Sequence, residues 1–197
     1  MPFSQNSDFM LSAKTIKQFP DDRGIEVAFV GRSNSGKSSA INTILNRRKL
    51  AKTSKIPGRT QLVNFFSVRD IDHRIVDLPG YGYAKVSNEI KSDWERMVES
   101  YLHSRASLAG LFITVDSRRG LNDLDKMMLS WTESSSMPTV VLLTKADKIS
   151  KNLYMQVKST VDVSLPSLSS ALLFSTNSGV GVLEAQAQLS NWFSMNL

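Results

Sequence analysis

"IEVAFVGRSNSGKSSAINTILN", residues 25–46, decides how the rest of the chain is read. Its first six residues are apolar apart from Glu26, the composition of a strand buried on both faces. The next eight, "GRSNSGKS", fit GxxxxGK[ST] at every fixed position: Gly31, Gly36, Lys37 and Ser38. "SSAINTILN" then reads as a helix. A strand, a glycine-bearing turn and a helix N-terminus in this order bring successive backbone N–H groups onto phosphate oxygens. Arg32, Ser33, Asn34 and Ser35 complete the loop; Lys37 is expected to reach β- and γ-phosphates, and the Ser38 hydroxyl is expected to be a Mg²⁺ ligand.

Outward from this stretch, β-branched runs alternate with segments of helical period, as in a βα-built and largely parallel sheet. The expected strands are 25–30, 62–68, 73–78, 108–116, 139–144 and 171–175, six in all. Residues 62–68 and 73–78 are joined by a short polar stretch, Asp70 to Asp72, so they read as an antiparallel hairpin. The fold expected is α/β, a P-loop NTPase with a six-stranded, mostly parallel sheet, one antiparallel strand and helices on both faces. Ile90, Trp94, Met97 and Tyr101 line one helical face, and Leu124, Met127, Met128 and Trp131 another. These are read as core. Residues 1–23 read as an N-terminal extension and 24–197 as one domain.

Which nucleotide is bound follows from "TKAD", Thr144 to Asp147, at the end of a strand. A carboxylate at Asp147 accepts both N1–H and the 2-amino hydrogens of guanine, a donor pair adenine lacks, while the stem of Lys145 covers the flat base. Ala146 lies between them. After the next strand, Phe174, Ser175 and Thr176 in "FSTNSGVG" can present hydroxyl and N–H groups to guanine O6. "DLPG", Asp77, Leu78, Pro79 and Gly80, supplies a carboxylate for Mg²⁺ and an N–H for the γ-phosphate. Thr60 in "PGRTQ" can complete the Mg²⁺ shell while GTP is bound.

With these motifs in view the chain resembles the EngB (YihA/YsxC) family, Ras-like G domains of the TRAFAC class. The matching stretches are "GIEVAFVGRSNSGKSSAINTI", "PGRTQLVNFF", "VDLPGYGYAKV", "VDSRRGLNDLD", "LLTKADKIS" and "FSTNSGVG". The resemblance implies a GTPase that binds GTP and GDP with Mg²⁺, associates with the large ribosomal subunit or its precursor, and is needed for normal cell division and septation. It assigns nucleotide contacts to Gly31–Ser38, to Gly58, Arg59, Thr60, Gln61 and Leu62, to Asp77–Gly80, to Thr144–Asp147 and to Ser175 with Thr176. Ser38, Thr60 and Asp77 stand as the metal set. Lys37, Thr60, Gly80 and Asn34 stand as the catalytic set.

Two features bear on hydrolysis. Ras-like enzymes place a glutamine after DxxG to orient water, whereas Tyr81 stands here, so an unassisted domain is expected to be slow. Several TRAFAC GTPases use an asparagine in a similar loop to seat K⁺ against the phosphates, and Asn34 is expected to do the same. A P-loop kinase and a nucleotide-dependent binding module with negligible turnover stay open as alternatives.

Charge points toward polyanions. The net charge is +6, and no Asp or Glu occurs from Val27 to Arg69, a stretch carrying Arg47, Arg48, Lys49, Lys52 and Lys55 among its cations. The resemblance makes ribosomal RNA the natural partner for that field. No apolar run reaches the ~20 residues of a membrane helix, there are no cysteines, and the N-terminus does not read as a signal peptide. A cytoplasmic monomer with no membrane partner is expected.

Overall fold

A period-two alternation along the strand Ile25–Gly31 sets the architecture. Val27 and Phe29 enter one core cluster, Ala28 and Val30 the other, so both faces of this strand are covered. The computed structural model describes residues 7–51, 62–82 and 88–195. Its strands are β1 (Ser7–Ala13), β2 (Ile25–Gly31), β3 (Val63–Val68), β4 (Asp70–Asp77), β5 (Leu108–Asp116), β6 (Thr139–Thr144) and β7 (Ser169–Leu173). The helices are α1 (Lys37–Ile44), α2 (Asn88–Ser104), α3 (Asp123–Ser134), α4 (Lys151–Val163) and α5 (Val182–Phe193).

The strands form one sheet in the order β1-β3-β4-β2-β5-β6-β7. β1 pairs antiparallel with β3 and β3 antiparallel with β4, and every other pairing is parallel. Thus β3 is the one strand running against the rest. α2, α3 and α4 supply Trp94, Tyr101, Met128, Leu129 and Val161 to one face, and α1 and α5 supply Ile41, Ile44, Leu189, Trp192 and Phe193 to the other. Gly110 lies under α5, where a Cβ would sit 2.4 Å from the Trp192 ring.

The sheet has seven strands where the sequence suggests six. The seventh, β1, comes from the stretch read as an N-terminal extension. Only its end residues, Ser7 and Ala13, are fully buried and its pairing slips between Phe9 and Leu11, so an edge strand of this kind carries no clean alternation. Asp70 to Asp72, expected as the hairpin loop, belong to β4, and Arg69 turns the chain at φ 69°. The side chain of Ile90 lies outside the described residues.

One charge sits in β2. Glu26 is fully buried and accepts from Arg74 Nε (3.0 Å), Arg105 Nε and an Arg105 Nη (3.0 and 2.6 Å) and the Tyr101 hydroxyl (2.8 Å). Arg105 also donates to the Pro20 carbonyl, and the Asp22 carboxylate accepts from Ala106 and Ser107 N–H. This cluster fastens the segment before β2 to the end of the sheet opposite the phosphate loop.

Candidate functional site

Parallel strands deliver their C-terminal ends to one edge of the sheet, where α/β folds place ligands. Gly31, Asp77, Asp116 and Thr144 end β2, β4, β5 and β6 there. The loop 32–36 then feeds α1. Gly36 takes φ 99° and no side chain caps the helix, so its first N–H groups and positive dipole end face the loop. Gly31 has no room for a side chain: a Cβ would lie 2.1 Å from Thr114 Oγ1 and 2.7 Å from Ser35 Oγ.

Neighbouring strand ends hold the loop rigid. Thr114 donates to the Val30 carbonyl at 3.2 Å, leaving Ser35 Oγ to donate to Thr114 Oγ1 at 2.7 Å. The Thr144 hydroxyl binds the Ser35 carbonyl. Asn34 stands at φ 64°, a conformation asparagine tolerates, and its carbonyl accepts from Lys145 Nζ at 2.6 Å. Lys145 Nζ also meets Asp116 Oδ2 at 2.8 Å, and Arg118 grips Asp116 with Nε and an Nη at 2.9 and 2.7 Å. The bidentate Arg118, helped by Lys145, holds the Asp116 carboxyl well below the ordinary carboxylate range against the opposing effect of burial. The Lys145 ammonium therefore ties the loop after β6 to the phosphate loop.

At the expected base site, Asp147 Oδ1 accepts from Ser175 Oγ at 2.7 Å and Oδ2 from Asn177 Nδ2 at 3.1 Å. The Ser175 hydroxyl, then Asn177, lowers the Asp147 carboxyl to about 2, so it is an anion at any physiological pH. The Ser175 hydroxyl, expected to face guanine O6, donates to Asp147 instead. It orients Asp147, while the Ser175 N–H goes to the Val180 carbonyl and the Ser175 carbonyl accepts from Gly179, which leaves guanine O6 to other groups of the Thr176 loop. Leu78 and Phe174 bury their side chains in the core, so only their main chains can face a ligand.

At the phosphate end, Lys37 Nζ is paired with Asp77 Oδ1, and both side chains are largely buried. Asp77 and the Ser38 hydroxyl offer hard oxygen donors on adjacent elements, which suits Mg²⁺ bound mainly through phosphates and water. Gly58, Arg59, Thr60 and Gln61, like Lys52, Lys55 and most of "YGYAKVS", lie outside the described residues. Leu62, half-buried, directly precedes β3.

After Asp77, the chain crosses to the phosphate loop: Leu78 N–H binds the Phe29 carbonyl (2.9 Å), and Ser33 N–H the Tyr81 carbonyl (2.8 Å). Tyr81 is buried, its hydroxyl on Asp125 Oδ1 and its ring 5.3 Å from Trp94, whose Nε1 donates to the Pro79 carbonyl. Burial, reinforced by Asp125, raises the Tyr81 hydroxyl well above its ordinary value. The roles of Asn177, Asp125, Thr114 and the Asp116–Arg118 pair are not visible in any motif.

Strand order, phosphate loop, DLPG and TKAD together describe a guanine-nucleotide domain, and residues 26–145 match the family model for the 50S ribosome-binding GTPase. The chain belongs to that GTPase family. Among solved structures, it is similar to a probable GTP-binding protein engB (TM-score 0.70, 21% identity, 85% of this chain and 98% of that one). Era in complex with MgGDPNP and nucleotides 1506–1542 of 16S ribosomal RNA gives 0.66 at 18%, over 89% of this chain and 58% of Era. Elongation factor SelB from Methanococcus maripaludis, bound to GppNHp, gives 0.63 at 18%, over 91% and 36%. At such identities the likeness is one of fold. No helix among the described residues is long and apolar enough to cross a membrane.

Proposed function

We propose that this GTPase is a Mg²⁺-dependent switch with slow intrinsic hydrolysis, acting on the large ribosomal subunit or its precursor through ribosomal RNA. The observation that carries the nucleotide choice is Asp147, anionic and aimed by Ser175 and Asn177, which matches the guanine donor pair. The family description and the net charge of +6 support the ribosomal partner. A role in cell division and septation follows from the EngB resemblance, as does a cytoplasmic location. Residues 24–197 are taken as the GTPase domain, with residues 1–23 as its extension.

Within the site, Gly31–Ser38 hold the phosphates, Lys37 neutralises β- and γ-oxygens, and Gly80 reports on the γ-phosphate. Ser38, Asp77 and Thr60 would hold Mg²⁺, which supplies charge neutralisation when bound. Asn34 would seat K⁺ beside the phosphates. The test is GTP turnover in Mg²⁺ with K⁺ or Na⁺, with and without purified large subunits. Acceleration by subunits supports the reading; equal turnover with and without them opposes it, and equal turnover in the two salts removes the K⁺ role. A second reading, a binding module with negligible turnover, is favoured by the burial of Tyr81 and would show as nucleotide-dependent subunit binding without phosphate release.

A further inference from the structure

Beside the phosphate loop, on its α3 side, lies a cleft of about 280 Å³. Its lining shares residues 32–35 and Lys145 with the nucleotide site, but includes neither Lys37, Ser38 and Asp77 nor Asp147, Ser175 and Thr176. The metal and base positions thus lie elsewhere. At that volume it sits just under the ~300 Å³ where small-molecule pockets begin, which suits one nucleotide unit rather than a second whole cofactor.

The lining is cationic. Arg32, Arg118, Arg119 and Lys145 face Asp116 and Asp125. Both carboxylates are already engaged: Asp116 by Arg118 and Lys145, Asp125 by the Tyr81 hydroxyl and Asn122 N–H. Arg118 uses Nε and one Nη on Asp116, which leaves its other Nη. Among the described residues, neither Arg32 nor Arg119 forms a salt bridge with a carboxylate. The Arg32 stem is fixed against Gly82, where a Cβ would meet Arg32 Cγ at 2.9 Å. Arg119 without a carboxylate partner, Arg32 with only a longer-range attraction to Asp125, and Arg118 with donors to spare, converging on one small cleft, make a fork for a tetrahedral anion.

We infer that this cleft is a docking site for a backbone phosphate of ribosomal RNA, gripped by Arg32, Arg118 and Arg119. The inference deepens the ribosomal reading above and rests on it for the choice of RNA. It rests on cations other than those of the basic stretch after α1. It also sets the partner's anion against the outer side of the phosphate loop.

The test compares wild type with Arg119→Ala and with Lys151→Ala, which removes equal charge from α4. Binding is measured to purified large subunits and to ribosomal RNA extracted from them, across a salt series. Fluorescent-GDP affinity of Arg119→Ala, expected to match wild type, reports an intact nucleotide site. The expected result is a roughly tenfold loss on both targets for the cleft variant, with the log–log salt slope reduced by about one, and a change under about twofold for the α4 variant. Equal loss in both variants, or none in the cleft variant while wild type binds, overturns the cleft and leaves the ribosomal reading standing. Loss on subunits but not on extracted RNA assigns the cleft to a ribosomal protein's carboxylate and overturns the RNA assignment. Failure of wild type to bind either target overturns both readings.

Discussion

Glu26→Gln is the perturbation with the sharpest expected consequence for stability. The carboxylate is fully buried and takes donors from Arg74, Arg105 and Tyr101, with Arg74 itself 2% exposed. A carboxamide keeps the shape but removes the charge, and its NH₂ group opposes one of the guanidiniums. Removing one member of a buried ionic cluster costs about 3–5 kcal/mol, because the remaining charges stay desolvated. Against a total of about 5–15 kcal/mol for a domain, that is a large fraction. At about 2–4 °C per kcal/mol for a chain of this size, Tm falls by roughly 6–20 °C. Gly31 lies five positions along β2 from Glu26, roughly 17 Å at ~3.3 Å per residue, so nucleotide affinity measured well below Tm should stay within about twofold. Urea denaturation with linear extrapolation, beside a GDP titration, reads both quantities. A loss below about 1 kcal/mol would refute the reasoning, since it would mean that the Pro20 and Asp21 carbonyls satisfy the guanidiniums without the anion.

Other outcomes follow from the site. Asp147→Asn should lose GTP affinity by a hundredfold or more, at about 3 kcal/mol for mispaired charge-assisted bonds, and gain affinity for xanthosine nucleotides, whose C2 carbonyl accepts from the new amide; competition binding reads both. Because the Asp147 carboxyl is lowered to about 2 from an ordinary 3.8, its stabilisation is complete above about pH 4 and is lost only as pH falls toward 2, so GTP affinity should show no Asp147-dependent change between pH 5 and 8. Lys37→Ala and Asp77→Asn should each weaken Mg²⁺–nucleotide binding by at least tenfold, seen by calorimetry with and without Mg²⁺. Tyr81→Phe removes the hydroxyl from Asp125 and should cost about 1–3 kcal/mol of stability in chemical denaturation.

The part of the site legible in the sequence is the part built from contiguous residues. A phosphate loop needs glycine at fixed positions, and Gly31 and Gly36 show why: Thr114 excludes a side chain at one, and φ 99° disfavours one at the other. β2, β5 and β6 declared themselves as apolar runs because both faces are covered. β1 stayed hidden because an edge strand buries little. Contacts made across the sheet edge were also hidden: nothing in "VDSRRG" says that Arg118 folds back onto Asp116, or that Lys145 reaches that same carboxylate. The position of Ser175 in its loop suits a base contact, yet the partner that claims its hydroxyl, Asp147, lies on a different loop and is visible only once β6 and β7 are paired.

Tyr81 bears most directly on whether the bound nucleotide is merely held. A water-orienting residue at this position has to project toward the γ-phosphate and keep a free polar end. Tyr81 instead gives its hydroxyl to Asp125, packs its ring at a tilt against Trp94 and commits its N–H and carbonyl to Gly31 and Ser33. Asp125 in turn accepts Asn122 N–H at the start of α3, so the residue after DLPG is built into the junction between phosphate loop and helix. Freeing it would leave Asp125, 1% exposed, short of a donor and would open space beside Trp94. Tyr81→Gln should therefore lower stability without raising turnover. Any acceleration beyond what Lys37 and Mg²⁺ supply then has to come from groups other than residue 81, and the proposed cation at Asn34 and the proposed RNA partner are the two candidates. Turnover that rises only when that partner is present is the behaviour this packing supports.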